Sequence, residues 1–501
     1  MPTAAAHPGQ MARWQAGAAL IAGAATVPGF APIGAFVFPL ITLAVLFWLW
    51  LDATPRRAFF LGWLFGLGLF LTGTSWVYVS LHTFGAMPMP LAALATLLFC
   101  AFLGLFPAVA GWCTARWRGN ASVTLLLLCP ATWMFSEWVR DWIFTGFPWL
   151  ALGYSQVDAS PLAGYVPLAG VFGITLLLAL CSGLLVLLAR RDGAGWQYAL
   201  PLAAVVGAGF ALKFIDWTQP TGINTRVSLL QGNVPQDMKW RPEALAATLK
   251  TYRDMVTASK AQLIVMPETA LPMFLHQAPP EYLEELAAHA RGNKGDVLLG
   301  VPERRPTGEY YNSVISLGSA KPQVYRKYHL VPFGEFIPLR PILGPIVGAL
   351  AIPLQDFSRG AETQPPLDIA GQRVAVNVCY EDVFGEEIIR PLPQATLLVN
   401  VSNVAWFGDS LAPAQHLQIS QMRALETGRY MLRATNTGMT AVIDQRGKVL
   451  KAAPPFQQAA VEHDVPGYQG TTPFVRWGNG LALALAGLML LAGILLRKRK
   501  P

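Results

Sequence analysis

Residues 373–382 read Arg-Val-Ala-Val-Asn-Val-Cys-Tyr-Glu-Asp, a short β-like run that ends at a thiol and two acidic side chains. The valines before Cys379 predict a strand, and the polar residues after it predict a sharp turn into a helix. A thiol in that position, beside acidic residues, is typical of a nucleophile. The stretch therefore predicts an α/β domain that presents Cys379 at the end of a strand.

Cys379 is also the one cysteine in the long part of the chain that has a soluble composition. The other four cysteines lie in or beside apolar runs, where small polarizable side chains pack well; they are Cys100, Cys113, Cys129 and Cys181. A buried structural cysteine would explain Cys379 equally well if it stood alone. The neighbouring motifs must therefore decide between the two interpretations.

The composition predicts an integral membrane protein. Hydrophobic residues make up 53% of the 501 residues, charged residues only 13%, and the mean hydropathy is +0.40. Soluble proteins carry roughly 25% charged residues. Eight apolar runs are long enough to cross a bilayer, at about 20 residues each. They are 13–31, 34–52, 59–80, 90–112, 121–143, 166–189, 196–214 and 478–496.

Basic clusters predict the orientation of these spans. One precedes the first span and the others follow the second, fourth, sixth and eighth: Arg13, Arg56-Arg57, Arg116 with Arg118, Arg190-Arg191 and Arg497 to Lys500. The positive-inside rule places all of them in the cytoplasm, and parity then places the long segment between spans seven and eight on the opposite face of the membrane. The first span resembles a retained signal-anchor.

The expected organisation has three parts. Residues 1–216 form a transmembrane domain of about seven helices, 217–475 form a catalytic domain, and 476–501 form a closing helix with a basic tail. The expected location is the cytoplasmic (inner) membrane, as a monomer. The net charge of +8 reports membrane topology, so no nucleic-acid partner is expected.

Between Arg226 and Val461, short β-branched runs alternate with helical patterns, which favours a layered α/β domain. The predicted strands are 226–230, 262–266, 297–301, 312–317, 323–328, 373–378 and 396–401, and the predicted helices are 241–259, 281–291 and 412–428. Three chemical groups adjoin strands here, namely Glu268, Lys327 and Cys379. A carboxylate, an ammonium and a thiol are the groups that acyl transfer through a thioester requires.

Three motifs carry a family resemblance: Pro-Glu-Thr at 267–269, Arg-Lys-Tyr-His-Leu-Val-Pro-Phe-Gly-Glu at 326–335 and Asn-Val-Cys-Tyr-Glu-Asp at 377–382. They resemble the nitrilase, or carbon–nitrogen hydrolase, superfamily. Together with the spans, they are similar to the apolipoprotein N-acyltransferase family. The resemblance implies a multi-span helical membrane domain joined to an exported nitrilase-like αββα sandwich.

The resemblance also implies residue roles. Glu268 would be the general base, Lys327 would stabilise the oxyanion and lower the pKa of the thiol, and Cys379 would carry the acyl group. Supporting or substrate-binding roles fall to Glu335, Tyr380, Glu381 and Trp240; Glu335 either holds Lys327 or assists proton transfer. Val404 departs from the aspartate usual in the family. We expect no metal site, since no metal-ligand spacing appears, and no cofactor, since no phosphate loop follows a strand.

The implied reaction is a two-step transfer of a fatty acyl chain from a phospholipid, through the thioester, to the N-terminal amine of diacylglyceryl-cysteine on apolipoproteins. Two alternatives remain open, a membrane-anchored amidase or nitrilase acting on a small exported amide, and a transporter or receptor. The apolar, proline-broken stretch 341–354 favours a lipid-facing lid over a core segment of the domain, with 271–275 as the opposite wall.

Overall fold

The computed structural model describes residues 8–157, 159–191, 193–338, 341 and 356–497. Its contacts divide the chain into two compact units. The first comprises Met1–Tyr78, Pro88–Ile215 and Trp477–Pro501, and the second comprises Val79–Met87 and Asp216–Arg476. The stretch expected to form a lid lies outside the described residues except for Pro341.

The described part of the first unit is helical. Its α-helices, with those at its borders, are Pro8–Thr26, Val37–Leu51, Pro55–Gly73, Val77–Val79, Met89–Leu103, Leu105–Trp117, Ala121–Val123, Cys129–Trp142, Val166–Arg190, Trp196–Leu212, Pro473–Trp477 and Gly480–Leu496. Short 3-10 or π turns are Val27–Gly29, Ser80–Phe84, Thr124–Leu128, Ile143–Thr145, Leu152–Gln156 and Pro161–Tyr165.

Three of these helical stretches are long and apolar enough to cross a membrane, namely Met89–Trp117, Ala121–Thr145 and Pro161–Arg190. A fourth is added if the pair Pro55–Gly73 and Val77–Phe84, bent by 58°, counts as one span. Shorter apolar helices are Val37–Leu51, Trp196–Leu212 and Gly480–Leu496. The expected multi-span helical domain is therefore confirmed as a fold class, while the number of eight spans stays a prediction.

The third predicted span, 59–80, is interrupted by the 58° bend between Pro55–Gly73 and Val77–Phe84, so it stays a prediction. Its helix ends at Gly73, and Val79–Met87 belongs to the second unit. There, the Ser80 hydroxyl donates to the carbonyl of Trp406 at 2.8 Å, and the ring of Phe84 packs edge-on against the Trp406 indole with 6.1 Å between centroids. These contacts, rather than the apolar run, decide where the segment belongs.

The second unit contains two six-stranded sheets. In chain order the strands are β1 Thr218–Gln231, β2 Leu263–Val265, β3 Asp296–Arg304, β4 Tyr310–Gly318, β5 Val324–Arg326, β6 Leu367–Ile369, β7 Gln372–Val378, β8 Leu397–Ser402, β9 Met431–Thr435, β10 Ala441–Ile443, β11 Val449–Ala452 and β12 Ala459–Gly470. One sheet has the order β12-β1-β2-β3-β4-β5 and the other β11-β10-β9-β8-β7-β6. The helices are Pro242–Ala258, Pro280–Gly292, Gly385–Ile388 and Ala412–Thr427, with 3-10 turns at Leu275–Gln277, Cys379–Val383 and Val404–Phe407.

The sheets pack face to face, and helices cover their outer faces. Val265 of β2 and Val399 of β8 share the core between the sheets. Neighbouring side chains point outward, since successive residues of a strand face opposite sides. Ile264 packs in the cluster of Pro242–Ala258 and Pro280–Gly292, and Leu398 packs in that of Ala412–Thr427. The expected αββα sandwich is confirmed.

Parallel pairing brings polar side chains to common edges of the sheets. β2 runs parallel to β1 and β3, and β7 and β8 run parallel to each other. The carboxyl ends of parallel strands lie at one edge of a sheet. Glu268 follows β2, Cys379 follows β7 and Asn403 follows β8, so each is carried to such an edge.

The core between the sheets provides a test of the sandwich. Leu397 is fully buried there, whereas Leu450 on the edge strand β11 is 37% exposed. Leu397→Ala should lower the free energy of unfolding by about 2–5 kcal/mol through lost burial and the resulting cavity. Leu450→Ala should change it by less than about 1 kcal/mol. Thermal denaturation of both full-length variants in detergent measures the difference, and equal melting temperatures would refute the packing described.

Candidate active site

Cys379 sits on a sharp turn directly after β7. Its φ of +53° places a residue other than glycine in the left-handed region, a strain of roughly 1–3 kcal/mol that surrounding contacts must hold. One such contact is the Asn400 side-chain amide, whose Nδ2 donates to the Cys379 carbonyl at 3.1 Å. The thiol is partly buried against the core between the sheets.

A buried polar network lies behind this turn. Asn400 Nδ2 also donates to Asn377 Oδ1 at 2.6 Å, and Arg433 Nη1 donates to Asn400 Oδ1 at 2.8 Å, which fixes the orientation of the amide. Arg433 in turn lies 3.2 Å from the Asp382 carboxylate, and both side chains are fully buried. His416 Nε2 contacts the other Asp382 oxygen at 2.6 Å. The network ties Cys379 to β8, β9 and the helix Ala412–Thr427.

Lys327 lies between two carboxylates. Its Nζ is 2.8 Å from Glu335 Oε2 and 3.9 Å from Glu268 Oε1, and the residue is only 1% exposed. Burial alone would lower the pKa of this lysine, but the charges of Glu335 and Glu268 outweigh it and raise the pKa above its usual value. Lys327 is therefore a permanent cation in the site.

Donors from both sheets hold the carboxylate of Glu268. Asn312 Nδ2 on β4 donates to Glu268 Oε1 at 2.7 Å and to Glu335 Oε1 at 3.1 Å. The backbone N–H of Asn403, just past β8, donates to Glu268 Oε2 at 2.8 Å. Both oxygens of Glu268 thus have a fixed direction, which a proton-transferring group requires.

Burial and the negative charge of Glu268 raise the pKa of the Cys379 thiol to about 12, while the Lys327 charge acts in the opposite direction. The expected direction of the Lys327 effect is present, since its charge lowers the pKa of the thiol, but burial and the charges of Glu268 and Glu335 outweigh it in the resting site. The thiol is protonated at neutral pH. Its proton must therefore be removed before the sulfur can act as a nucleophile.

Glu381 joins the Lys327 segment to the nucleophile turn. Its Oε1 accepts from the backbone N–H groups of Tyr328 at 2.7 Å and His329 at 3.1 Å, and its Oε2 accepts from the Val378 N–H at 2.6 Å. Burial raises the pKa of Glu381 to about 7, and the charge of Lys327 opposes that shift. Because this carboxylate is only 2% exposed and accepts bonds from all three N–H groups, it fixes residues 328 and 329 against the end of β7.

The remaining predicted residues lie around this centre. The buried ring of Tyr380 packs edge-on against Phe384 at 5.3 Å between centroids. Trp240 is 55% exposed and directly precedes Arg241, the N-cap residue of the helix Pro242–Ala258. Val404 is 1% exposed, so an apolar side chain fills the position where the family usually carries an aspartate.

Sequence reasoning missed Asn312, Asn403 and Lys239. Asn312 is a buried amide in the strand β4, whose sequence also contains Ser313 and Ser316, so its polarity alone gave no clear signal. Asn403 contacts Glu268 through its backbone N–H, so the type of its side chain gives no indication of this role. Lys239 directly precedes Trp240, and its Nζ donates to Thr269 Oγ1 at 2.7 Å.

A carboxylate, an ammonium and a thiol at strand ends of an αββα sandwich define a nitrilase-like carbon–nitrogen hydrolase domain. In agreement, the Carbon-nitrogen hydrolase family model matches residues 226–469, and the model of the Apolipoprotein N-acyltransferase N-terminal domain matches residues 22–184.

The chain is 55% identical over 482 residues to an apolipoprotein N-acyltransferase of Nitrosomonas europaea. That alignment covers 95% of this chain and 96% of the relative. It is 48% identical over 477 residues to one of Methylococcus capsulatus, covering 94% of each. Among solved structures it is similar to the C. elegans NitFhit protein, with 17% identity, a TM-score of 0.39, and coverage of 55% of this chain and 65% of that one.

The chain belongs to the apolipoprotein N-acyltransferase family. The family resemblance of the motifs is thereby confirmed, and so is the expectation of a membrane-embedded acyltransferase. The amidase alternative is not favoured, because relatives of nearly full length carry the acyltransferase name.

The charge of Glu268 gives a prediction about the resting thiol. Because that charge raises the pKa of Cys379, Glu268→Gln should lower it, and iodoacetamide should alkylate Cys379 faster, about tenfold for each unit by which the pKa falls. Alkylation of the wild type should rise with pH between about pH 7 and 9, since the thiolate reacts. Peptide mass spectrometry measures the rates. Slower alkylation of Glu268→Gln than of the wild type would contradict this prediction, because it would mean that Glu268 activates the thiol toward iodoacetamide.

Proposed function

We propose that this protein transfers a fatty acyl chain from a phospholipid, through a thioester on Cys379, to the N-terminal amine of diacylglyceryl-cysteine on apolipoproteins. The observation that carries the proposal is the buried Lys327 ammonium between Glu268 and Glu335, whose charge lowers the pKa of the Cys379 thiol against the effect of burial. The family name of the relatives supports the class of acceptor.

In the first step, Glu268 removes the proton of the thiol as the sulfur attacks the ester carbonyl of the donor. The carbonyl oxygen becomes an oxyanion, and the Lys327 ammonium and the backbone N–H of Tyr380 stabilise it. The carbon–oxygen bond then breaks, and Glu268 returns the proton to the departing alkoxide. A lysophospholipid leaves, and the acyl chain remains on Cys379 as a thioester.

In the second step, the neutral amine of the acceptor attacks the thioester carbonyl. Glu268 takes one proton from the attacking nitrogen, the same oxyanion forms, and the carbon–sulfur bond breaks. The thiolate recovers the proton through Glu268, and the product is an amide. Donor and acceptor occupy the site in turn, so the mechanism is ping-pong.

Glu335 holds Lys327 in this scheme. Its Oε2 accepts from the ammonium and from the Val331 N–H at 2.8 Å each, so this carboxylate is committed to positioning. Glu381 and Tyr380 shape the nucleophile turn. We assign Trp240 to substrate binding because it is the exposed aromatic residue beside the buried Lys239.

We further propose that the enzyme acts as a monomer in the cytoplasmic (inner) membrane, with the catalytic domain, residues 217–475, on the periplasmic side. Residues 1–216 and 476–501 are its transmembrane parts. The distribution of basic clusters supports this orientation.

Acylation of Cys379 tests the proposed function. The purified full-length enzyme mixed with phospholipid should gain one acyl chain on Cys379, with release of lysophospholipid, and a diacylglyceryl-cysteine peptide should discharge it as an amide. Intact and peptide mass spectrometry follow both steps.

The matched controls are two cysteine variants. Cys379→Ala should form no adduct, whereas Cys113→Ala, which changes a partly buried cysteine of the helical unit, should acylate as the wild type does. Hydrolysis of a small amide by a wild-type enzyme that forms no acyl adduct would disprove the transferase mechanism.

A further inference from the structure

Lys239 is a second buried lysine near the catalytic carboxylate, in the loop between β1 and the helix Pro242–Ala258. It is 2% exposed. Its Nζ donates to Thr269 Oγ1 at 2.7 Å and to the backbone carbonyl of Glu268 at 3.2 Å. The ammonium therefore binds the turn that carries Glu268, on the side of the main chain.

That turn needs external support. Thr269 has a φ of +46°, a left-handed conformation that is unfavourable for a β-branched residue, by roughly 1–3 kcal/mol. Strand β3 packs tightly against it, since a Cβ built on Gly300 would lie 2.3 Å from the Pro267 carbonyl and 2.9 Å from Glu268 Cα. Small displacements of the turn are thus opposed by β3, while Lys239 supplies the hydrogen bonds.

The same loop also contacts Asn403, the residue whose backbone binds the carboxylate of Glu268. Gln236 Oε1 accepts from Asn403 Nδ2 at 2.8 Å, and the backbone N–H of Asn403 donates to Glu268 Oε2 at 2.8 Å. Lys239 holds the main chain of Glu268, and Gln236 orients the residue that holds its oxygen. Two contacts from one loop therefore define where this carboxylate points.

We propose that Lys239 is a positioning residue of the acyl transfer, which keeps the carboxylate of Glu268 aligned with the proton of Cys379 through the Thr269 turn. The inference rests on the proposed function, in which Glu268 moves that proton. The ammonium of Lys239 is also a second positive charge near Glu268 and Cys379. Burial lowers its pKa to about 8, with both of those groups opposing the shift.

The position of Trp240 separates this role from substrate binding. Lys239 is buried while the next residue, Trp240, is 55% exposed. A change at Lys239 should therefore slow the chemical step, whereas a change at Trp240 should weaken substrate binding. The two effects differ in whether kcat or KM responds.

Lys239→Met provides the test, in the full-length enzyme with phospholipid as donor. A misplacement of Glu268 by about 1 Å should lower kcat for acylation of Cys379 on the order of 100-fold, with the KM for phospholipid changed by less than about twofold. Lys239→Arg retains the charge and donors and should recover part of the rate. Lys260→Met removes an exposed lysine of the same domain and should behave as the wild type does.

Thr269→Val, which removes the acceptor hydroxyl and keeps the β-branched shape, gives an independent variant if Lys239→Met fails to fold. It should also lower kcat, and the double variant should lose little more than Lys239→Met alone, since the two groups act as one contact. Unchanged kcat in both single variants, or a raised KM with unchanged kcat, would overturn the inference. Failure of the wild type to form the Cys379 adduct would instead count against the proposed function.

Discussion

The chemistry of this protein depends on one buried ion cluster, the Lys327 ammonium held between Glu268 and Glu335. A lone charge at 1% exposure would be strongly unfavourable, so the two carboxylates and the shared donor Asn312 are what keep the cation there. In the proposed mechanism, the same cation stabilises the negative charge that develops on a substrate oxygen. Charge balance and oxyanion stabilisation are thus two consequences of one arrangement.

The sandwich explains why these groups meet although they are distant in sequence. Glu268 and Lys327 follow strands of one sheet, and Cys379 follows a strand of the other. Packing of the two sheets through residues such as Val265 and Val399 fixes the distance between those strand ends. The site is rigid because its members extend from the hydrophobic core.

Much of the fold was predictable from strands that are buried on both faces, because such strands have continuous apolar runs. Both β2 and β8 were found in this way, but β9 was missed, since Arg433 interrupts its run. Strand-end motifs predicted the carboxylate, lysine and thiol. The contacts of Asn312 and Lys239 with the Glu268 turn, across 44 and 30 residues, were not predictable, because no local pattern encodes them.

The most direct test of the ion cluster compares Lys327→Met with the double variant Lys327→Met/Glu335→Gln. Lys327→Met leaves two buried carboxylates together and should destabilise the protein by about 3–5 kcal/mol, while the double variant should recover most of that loss. Acylation of Cys379 should remain about 10²–10³-fold below the wild-type rate in both variants, since the oxyanion has lost its cation. Recovery of the wild-type acylation rate in the double variant would contradict this account.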